Sequence, residues 1–273
     1  MPSATVPTRD QSESDVLDVR ASVWRERPLL REIYRRYFAE MVGHFSCPES
    51  PDGKHGVVVE VGGGSGNFKE YFHTEHPGCG SLITTDIVAT PHCDRVADAT
   101  ALPFPEGSVD NLVMLDVLHH LPYPLRFFSE AARVLRPGGR LVMTEPYISP
   151  ASRVVFALVH PEPVNPSAVV FGVRADRDPS PVSGTGAFAS NQATPTRIFF
   201  RDRALFVERF PSLRIVVVAR RSLIVYPLSG GFSGPKLLPR FLEKAAWALD
   251  SWLSPLAPLL AFRLVVVLEQ TGA

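Results

Sequence analysis

Four glycines fall within five positions, Gly62-Gly63-Gly64-Ser65-Gly66, directly behind the apolar run Val57-Val58-Val59-Glu60-Val61. Glycine costs backbone entropy, so it is kept where a chain must turn sharply or lie close to a neighbour. The following "NFKEYFHTE" has helical spacing, so the glycines mark a strand-to-helix turn. A buried strand that turns into a helix in this way belongs to an α/β sheet, not to a helical bundle or a β-sandwich.

The rest of the chain keeps that alternation. "SLITTDI" is a second strand, "RVADAT" a short third, "VDNLVMLDVL" a fourth and "GRLVMTEPY" a fifth. "YPLRFFSEAARVL" is a helix that stops at Pro137-Gly138-Gly139. Further on, "RALFVERF" suits a helix, "LRIVVVARRSLIVYPL" a long strand and "FRLVVVLEQ" a closing strand. Leu238, Phe241, Leu242, Ala245, Ala246, Leu249, Trp252 and Leu253 form a helical stripe between the last two, expected to be buried. Ahead of the glycines, Leu30, Ile33, Tyr34, Tyr37, Phe38, Met41, Val42 and Phe45 make one face of an amphipathic helix. Seven strands separated by helices predict a mostly parallel, Rossmann-like α/β sheet with helices on both faces. An N-terminal helical extension precedes it, and an insertion follows strand five. Within that insertion "DRDPSPVSGTGAFASNQATPT" breaks the periodicity, as a functional loop often does.

Composition narrows the partners. The formal net charge is zero, which gives no broad attraction to phosphate backbones and argues against nucleic acid. Three cysteines make a disulfide framework unexpected and favour a reducing compartment. The polar start "MPSATVPTRDQSESD" lacks an apolar signal core, and Pro255, Pro258 and Arg263 interrupt the apolar C-terminal region. A cytoplasmic protein without a transmembrane segment is expected.

The glycine turn could be a tight turn that binds nothing, since such turns occur in several nucleotide-binding folds. Its spacing is Glu-x-Gly-x-Gly-x-Gly, whereas the dinucleotide fingerprint carries two residues before its last glycine. No Gly-Lys-Ser/Thr ending is present, which removes a phosphate-binding P-loop. Asp86 ends the second strand, twenty positions after Gly66, where a carboxylate can accept from both ribose hydroxyls. Asp98-Ala99 follow the third strand, in reach of an adenine amino group. Glycines and two acids at three successive strand ends outline an adenosine.

With these residues the chain resembles the class I S-adenosylmethionine-dependent methyltransferases, in their small-molecule, type 11-like branch. "DATALPFPEGSVDNLVMLDVLHHLPYPLRFFSEAARVLRPGGRLVMTEP" carries the likeness, which runs from Val57 to Pro146, about a third of the 273 residues. The resemblance implies S-adenosylmethionine as cofactor, with Glu60, Gly62, Gly63, Gly64 and Gly66 along its methionine part. It implies Asp86 and Ile87 at the ribose, Asp98 and Ala99 at the adenine, and Leu115 and Asp116 beside the cofactor after strand four. The polar composition of 1–22 predicts a disordered tail, and one methyltransferase domain over 23–273 is then expected. Its parts would be an N-terminal helix (23–46), the cofactor-binding core (57–147), a substrate-lid insertion (148–200) and the C-terminal part of the sheet (201–273).

Chemistry at the acceptor is less sharply written. Methyl transfer is an in-line displacement helped by positioning, and a hydroxyl acceptor benefits from a base. His119, His120 and Glu145 follow strands four and five at the expected end of the sheet and are the catalytic candidates. His119 is preferred as base, although a structural role for the pair fits equally. Tyr34, Tyr37, Tyr147, His160 and Asn191 are candidate substrate contacts; core packing, a surface loop or a helix cap would explain them as well. No metal is expected. Asp110-Asn111 resembles the acidic pair of metal-dependent catechol-type enzymes but lies at the wrong end of strand four. His76, Cys79, His92 and Cys93 match no compact zinc spacing.

The expected function is methyl transfer to a small organic acceptor, with oxygen preferred, in specialised or glycan metabolism. A C- or N-methyltransferase on a hydrophobic or lipid-linked acceptor remains open, as does a non-catalytic S-adenosylmethionine-binding partner. A nicotinamide-dependent oxidoreductase is disfavoured by the glycine spacing. A monomer or homodimer is expected, with Trp247, off the helical stripe, as one dimer contact.

Overall fold

The computed structural model describes residues 13–46, 56–76, 80–159, 162–172, 181–182 and 189–272. Two helices, α1 (Glu13–Glu26) and α2 (Pro28–Gly43), precede the first strand. Then follow β1 (Val57–Val61), α3 (Asn67–Glu75), β2 (Ser81–Asp86), β3 (Arg95–Val96) and β4 (Val109–Leu115). A 3₁₀ turn at Leu118–His120 leads to α4 (Pro124–Val134), β5 (Leu135–Pro146) and α5 (Pro150–Val159). The one-turn α6 (Thr194–Thr196), α7 (Arg203–Arg209), β6 (Leu213–Arg221) and α8 (Val225–Ser229) come next. The chain closes with α9 (Glu243–Trp252), α10 (Ala257–Leu260) and β7 (Arg263–Gln270).

The seven strands form one sheet in the order β3-β2-β1-β4-β5-β7-β6. All neighbouring pairs are parallel except β5–β7 and β6–β7, which are antiparallel. This is the mostly parallel, Rossmann-like sheet expected from the strand–helix alternation. Buried on both faces, β1, β4 and β7 are near-continuous apolar runs. One core layer gathers Phe127, Phe128, Phe199 and Phe206; the other packs α2 and α3 over Val58, Val113, Val142 and Val267. Register aligns Val61 with Thr85 and Met114, so the glycine turn, Asp86 and Leu115 emerge at the same edge.

Several expected boundaries shift. The tail over 1–22 gives way to helix from Glu13. Its end is fixed by contacts that a polar composition does not advertise: Val23 is buried, and Arg31 donates to the carbonyls of Trp24 and Arg25. Helix α4 ends at Val134, before Pro137, because β5 takes the chain from Leu135. The long strand expected through "SLIVYPL" ends at Arg221. Ser222 turns with φ +60°, and α8 follows. The stripe that runs from Leu238 into α9 is largely exposed: Phe241 is 83% and Trp252 75% accessible, and only Leu238 and Ala246 of that set are buried. Trp247 sits under the Arg36 guanidinium, 3.7 Å from the ring centre, so α2 covers it. No helix among the described residues is long and apolar enough to cross a membrane.

Candidate active site

At the carboxyl edge of the parallel strands lies a cavity of about 480 Å³, lined by residues that follow β1, β2, β3 and β4 and by α2. Ligands collect at this edge in open α/β sheets, because the loops there diverge. The glycine turn forms the floor. Gly62 has φ +76°, and a Cβ on it would fall 2.3 Å from Val117 Cγ2, so no other residue fits without repacking. Gly66 caps α3 in the left-handed conformation beneath the His92 ring and does not line the cavity, whereas Gly62, Gly63 and Gly64 do.

Three carboxylates face the same space. Glu60 is buried; its Oε2 accepts from Thr84 Oγ1 at 3.3 Å. Burial lifts its pKa to about 8; the Thr84 hydroxyl opposes that shift and the nearby Asp86 adds to it. Asp86 accepts from Gly64 N at 2.8 Å through Oδ2 and from Val88 N at 2.9 Å through Oδ1, which ties the second strand's end to the glycine turn. Asp98 Oδ1 accepts from the N–H and hydroxyl of Thr100 and so fixes the third strand's loop. Carboxylate oxygens have lone pairs beyond these bonds and can accept further donors. Ile87, Ala99, Leu115 and Asp116 complete the wall on this side.

Beyond β4 the wall changes character. Asp116 takes φ +58°, an uncommon conformation for a residue with a side chain. It accepts from the Tyr34 hydroxyl at 2.8 Å and pairs with the buried Arg263 guanidinium at 2.5 Å, without hydrogen-bond alignment in the latter. Burial opposes its ionisation, but Arg263, His119 and Tyr34 together hold its pKa below the usual range. Tyr34 lines the cavity; Tyr37 does not, and its hydroxyl is paired with Ser222 inside the core. Phe38 and Phe232 add an apolar roof.

His120 lines the cavity, while His119 and Glu145 lie behind it. Glu145 Oε1 accepts from the N–H groups of Val117 and Leu118 at 2.9 and 2.8 Å, and its Oε2 is 2.7 Å from His119 Nδ1. His119 Nε2 in turn lies 3.3 Å from Glu162 Oε2. Burial alone would lower the His119 pKa, yet the two glutamates raise it to about 9. Burial, then the neighbouring His119, push His120 down to about 3. The ring expected as the base is therefore the recessed, cation-prone one, and the neutral ring is the one that faces the cavity.

The other expected substrate contacts are elsewhere. Tyr147 is buried against Phe200 and the Arg220 guanidinium. Asn191 is consumed in the insertion, exchanging hydrogen bonds with Asn165 and donating its N–H to the His119 carbonyl. His160 lies outside the described residues. Arg20, Phe232, Glu162 and Arg263 escaped the sequence reading. Arg20 sits in what reads as a tail, and Arg263 is paired with a residue far away in sequence. The Gly230-Gly231 pair before Phe232 and the acidic Glu162 beside His160 were the available signals.

The seven-stranded sheet and its strand-edge cavity are those of a Rossmann-like α/β fold. Residues 59–143 match the type 11 family described as a methyltransferase domain, and the chain carries a domain of that family. It is similar to the 27-O-demethylrifamycin SV methyltransferase of Amycolatopsis mediterranei (strain S699), 46% identical over 62 residues, 21% of this chain and 23% of that protein. An uncharacterized methyltransferase of Mycobacterium sp. (strain KMS) is 34% identical over 109 residues, 35% of this chain and 40% of the relative. The chain thus spans less than half the length of either relative. A SAM-dependent methyltransferase from Archaeoglobus fulgidus has the same fold, with a TM-score of 0.51 and 13% identity over 88% of this chain and 94% of that one. The residues present fit S-adenosylmethionine, the cofactor that the matched methyltransferase family implies. Glu60, Asp86 and Asp98 line the cavity with carboxylates that can accept from the donors of such a ligand.

Proposed function

We propose that the protein methylates an oxygen of a small organic acceptor. The observation that carries this reading is the layout of one cavity: the glycine turn, Asp86 and Asp98 line the ends of β1, β2 and β3, and His120 follows β4 at the other side. When bound, S-adenosylmethionine supplies an electrophilic methyl group on a sulfonium. The protein's part is to hold the acceptor oxygen in line with that methyl, which by itself can contribute roughly 7–11 kcal/mol. Leu121, Tyr123, Phe38 and Phe232 give this chamber apolar surface beside its polar groups, which suits an acceptor with an aromatic or aliphatic skeleton. An alcohol or phenol must lose its proton as the new bond forms. His120, the one member of the His119–His120–Glu145–Glu162 cluster that lines the cavity, is the group placed to take it. The named substrate of the Amycolatopsis relative is by its name a 27-O-demethyl compound, in keeping with oxygen as acceptor.

The test is label transfer. Methyl-labelled S-adenosylmethionine is incubated with the protein and an extract of its source cells, and the products are separated into aqueous small molecules, lipids and macromolecules. Label in the small-molecule fraction, recovered as a methyl ether, is the expected result. Label on carbon or nitrogen, or in macromolecules, would overturn the oxygen reading.

A further inference from the structure

The imidazole–carboxylate cluster is built like a metal site. One ligand atom from each of His119, His120 and Glu162 lies within 4.8 Å of the others. The His119 Nε2 to Glu162 Oε2 distance is 3.3 Å. Two ligands of a tetrahedral zinc ion with bonds of about 2.05 Å are separated by roughly 3.3 Å, so this edge already has the spacing an ion would impose.

The second layer around these groups strengthens the case. Metal-bound histidines commonly give their other ring nitrogen to a carboxylate or a backbone carbonyl, which fixes tautomer and ring orientation. His119 Nδ1 faces Glu145 Oε2 at 2.7 Å, and Glu145 is itself anchored by two backbone N–H groups. His120 Nδ1 is 3.2 Å from the Ala189 carbonyl, which places the lone pair of a neutral ring on Nε2. Glu162 accepts from Gln192 Nε2, and its other oxygen is 3.6 Å from Arg20. The Asn191 N–H to His119 carbonyl bond clamps the insertion that carries Gln192 against the histidine turn. Two carboxylates and one guanidinium leave one formal negative charge with both rings neutral.

We propose that His119, His120 and Glu162 bind a divalent transition-metal ion, with zinc as the reference, at the acceptor end of the cavity. Two imidazoles and one carboxylate suit zinc or ferrous iron and leave coordination positions open, whereas magnesium and calcium prefer all-oxygen sets. His120 lines the cavity, so an open position there would be available to an acceptor oxygen, whose proton a Lewis acid makes easier to lose. The placement at an acceptor end rests on the methyltransferase reading; the ion site itself does not.

The experiment is metal binding to full-length, chelator-stripped protein, followed by calorimetry with Zn²⁺ and by the absorption spectrum with Co²⁺. One equivalent of Zn²⁺ is expected, with no matching magnesium site, and a Co²⁺ spectrum free of a thiolate charge-transfer band. Glu162→Gln and His120→Ala should each weaken binding at least 100-fold, and Glu145→Gln by about 10- to 100-fold. Cys93→Ser should leave it unchanged. S-adenosylmethionine affinity, measured on the same stripped proteins, reports folding and keeps a failed metal site separate from a failed methyltransferase reading. No stoichiometric binding by the wild-type protein, or binding unaltered in both ligand variants, would overturn the proposal.

Discussion

Glu60 is a buried carboxylate in the cavity wall. Its carboxyl, raised to about 8, is mostly protonated at pH 7 in the free protein. A cationic methionyl group beside it would stabilise the ionised form, so cofactor binding at pH 7 should release close to one proton. Calorimetry in buffers of different ionisation enthalpy reads this directly; release should vanish well above pH 8 and in Glu60→Gln. A buffer-independent heat at pH 7 would remove Glu60 from the cofactor's surroundings. The same shift has a stability consequence. Between about pH 4.5 and 8 the unfolded chain has lost this proton and the native chain keeps it, so the contribution of Glu60 to stability falls as pH rises through that window. Gly62 gives the second prediction at this scale. Gly62→Ala would place a side chain at φ +76° and 2.3 Å from Val117, at a cost of ~2–4 kcal/mol. Denaturant unfolding checks it, and a loss below about 1 kcal/mol would mean that the turn relaxes freely.

Elements were legible where a local pattern decides them. The strand–turn–helix unit at Val57–Glu75 is fixed by periodicity and glycine. Periodicity also marks the helix before β5, though its end at Val134 is set by the strand that follows and not by Pro137-Gly138-Gly139. The region after β6 is decided by a distant residue instead. Asp250, on α9, accepts from the N–H groups of Leu223, Ile224 and Val225 at 3.0, 2.6 and 3.0 Å, so the chain turns into α8 rather than continuing as strand. Nothing in "SLIVYPL" announces an acceptor 25 residues later. The same anchoring explains why α9 buries an aspartate and exposes Trp252: its buried side is formed by Asp250 and Ala246 and not by the apolar stripe. Asp250→Ala should lower stability by ~2–4 kcal/mol, because three donors lose a charged acceptor. Asp250→Asn, which keeps one acceptor oxygen, should lose less. Thermal unfolding of the pair checks the order; equal stability of Asp250→Ala and wild type would assign the α8 turn to Ser222 alone.

The site as a whole could be read only in part, because it is assembled from pieces that no local signal connects. The half proposed for the cofactor, from Glu60 to Asp116, is one continuous stretch whose glycines and acids recur at strand ends. The roof and far wall come from Arg20, Tyr34 and Phe38 before the sheet and from Phe232 after it. Their partners are equally remote: Arg27 donates to the Gly231 and Gly234 carbonyls at 2.7 and 2.9 Å, which binds the start of α2 to the loop that carries Phe232. Arg263 at the start of β7 reaches Asp116, so the antiparallel end of the sheet also supports the cavity wall. Occupation by S-adenosylmethionine should therefore be felt across the chain and not in the glycine half alone. Hydrogen exchange should slow over residues 19–38 and 228–236 together with 60–68, while α9 and α10, whose residues do not line the cavity, stay unchanged. At a ligand concentration 100 times Kd the whole domain should gain about 2.7 kcal/mol, visible as a raised Tm. Protection confined to the segment between β1 and β5 would separate the N-terminal helices and the Phe232 loop from the cofactor and leave them to the acceptor. Arg27→Met offers the complementary readout. By freeing the Phe232 loop it should weaken cofactor affinity several-fold, and unaltered affinity would show that the roof closes without that clasp.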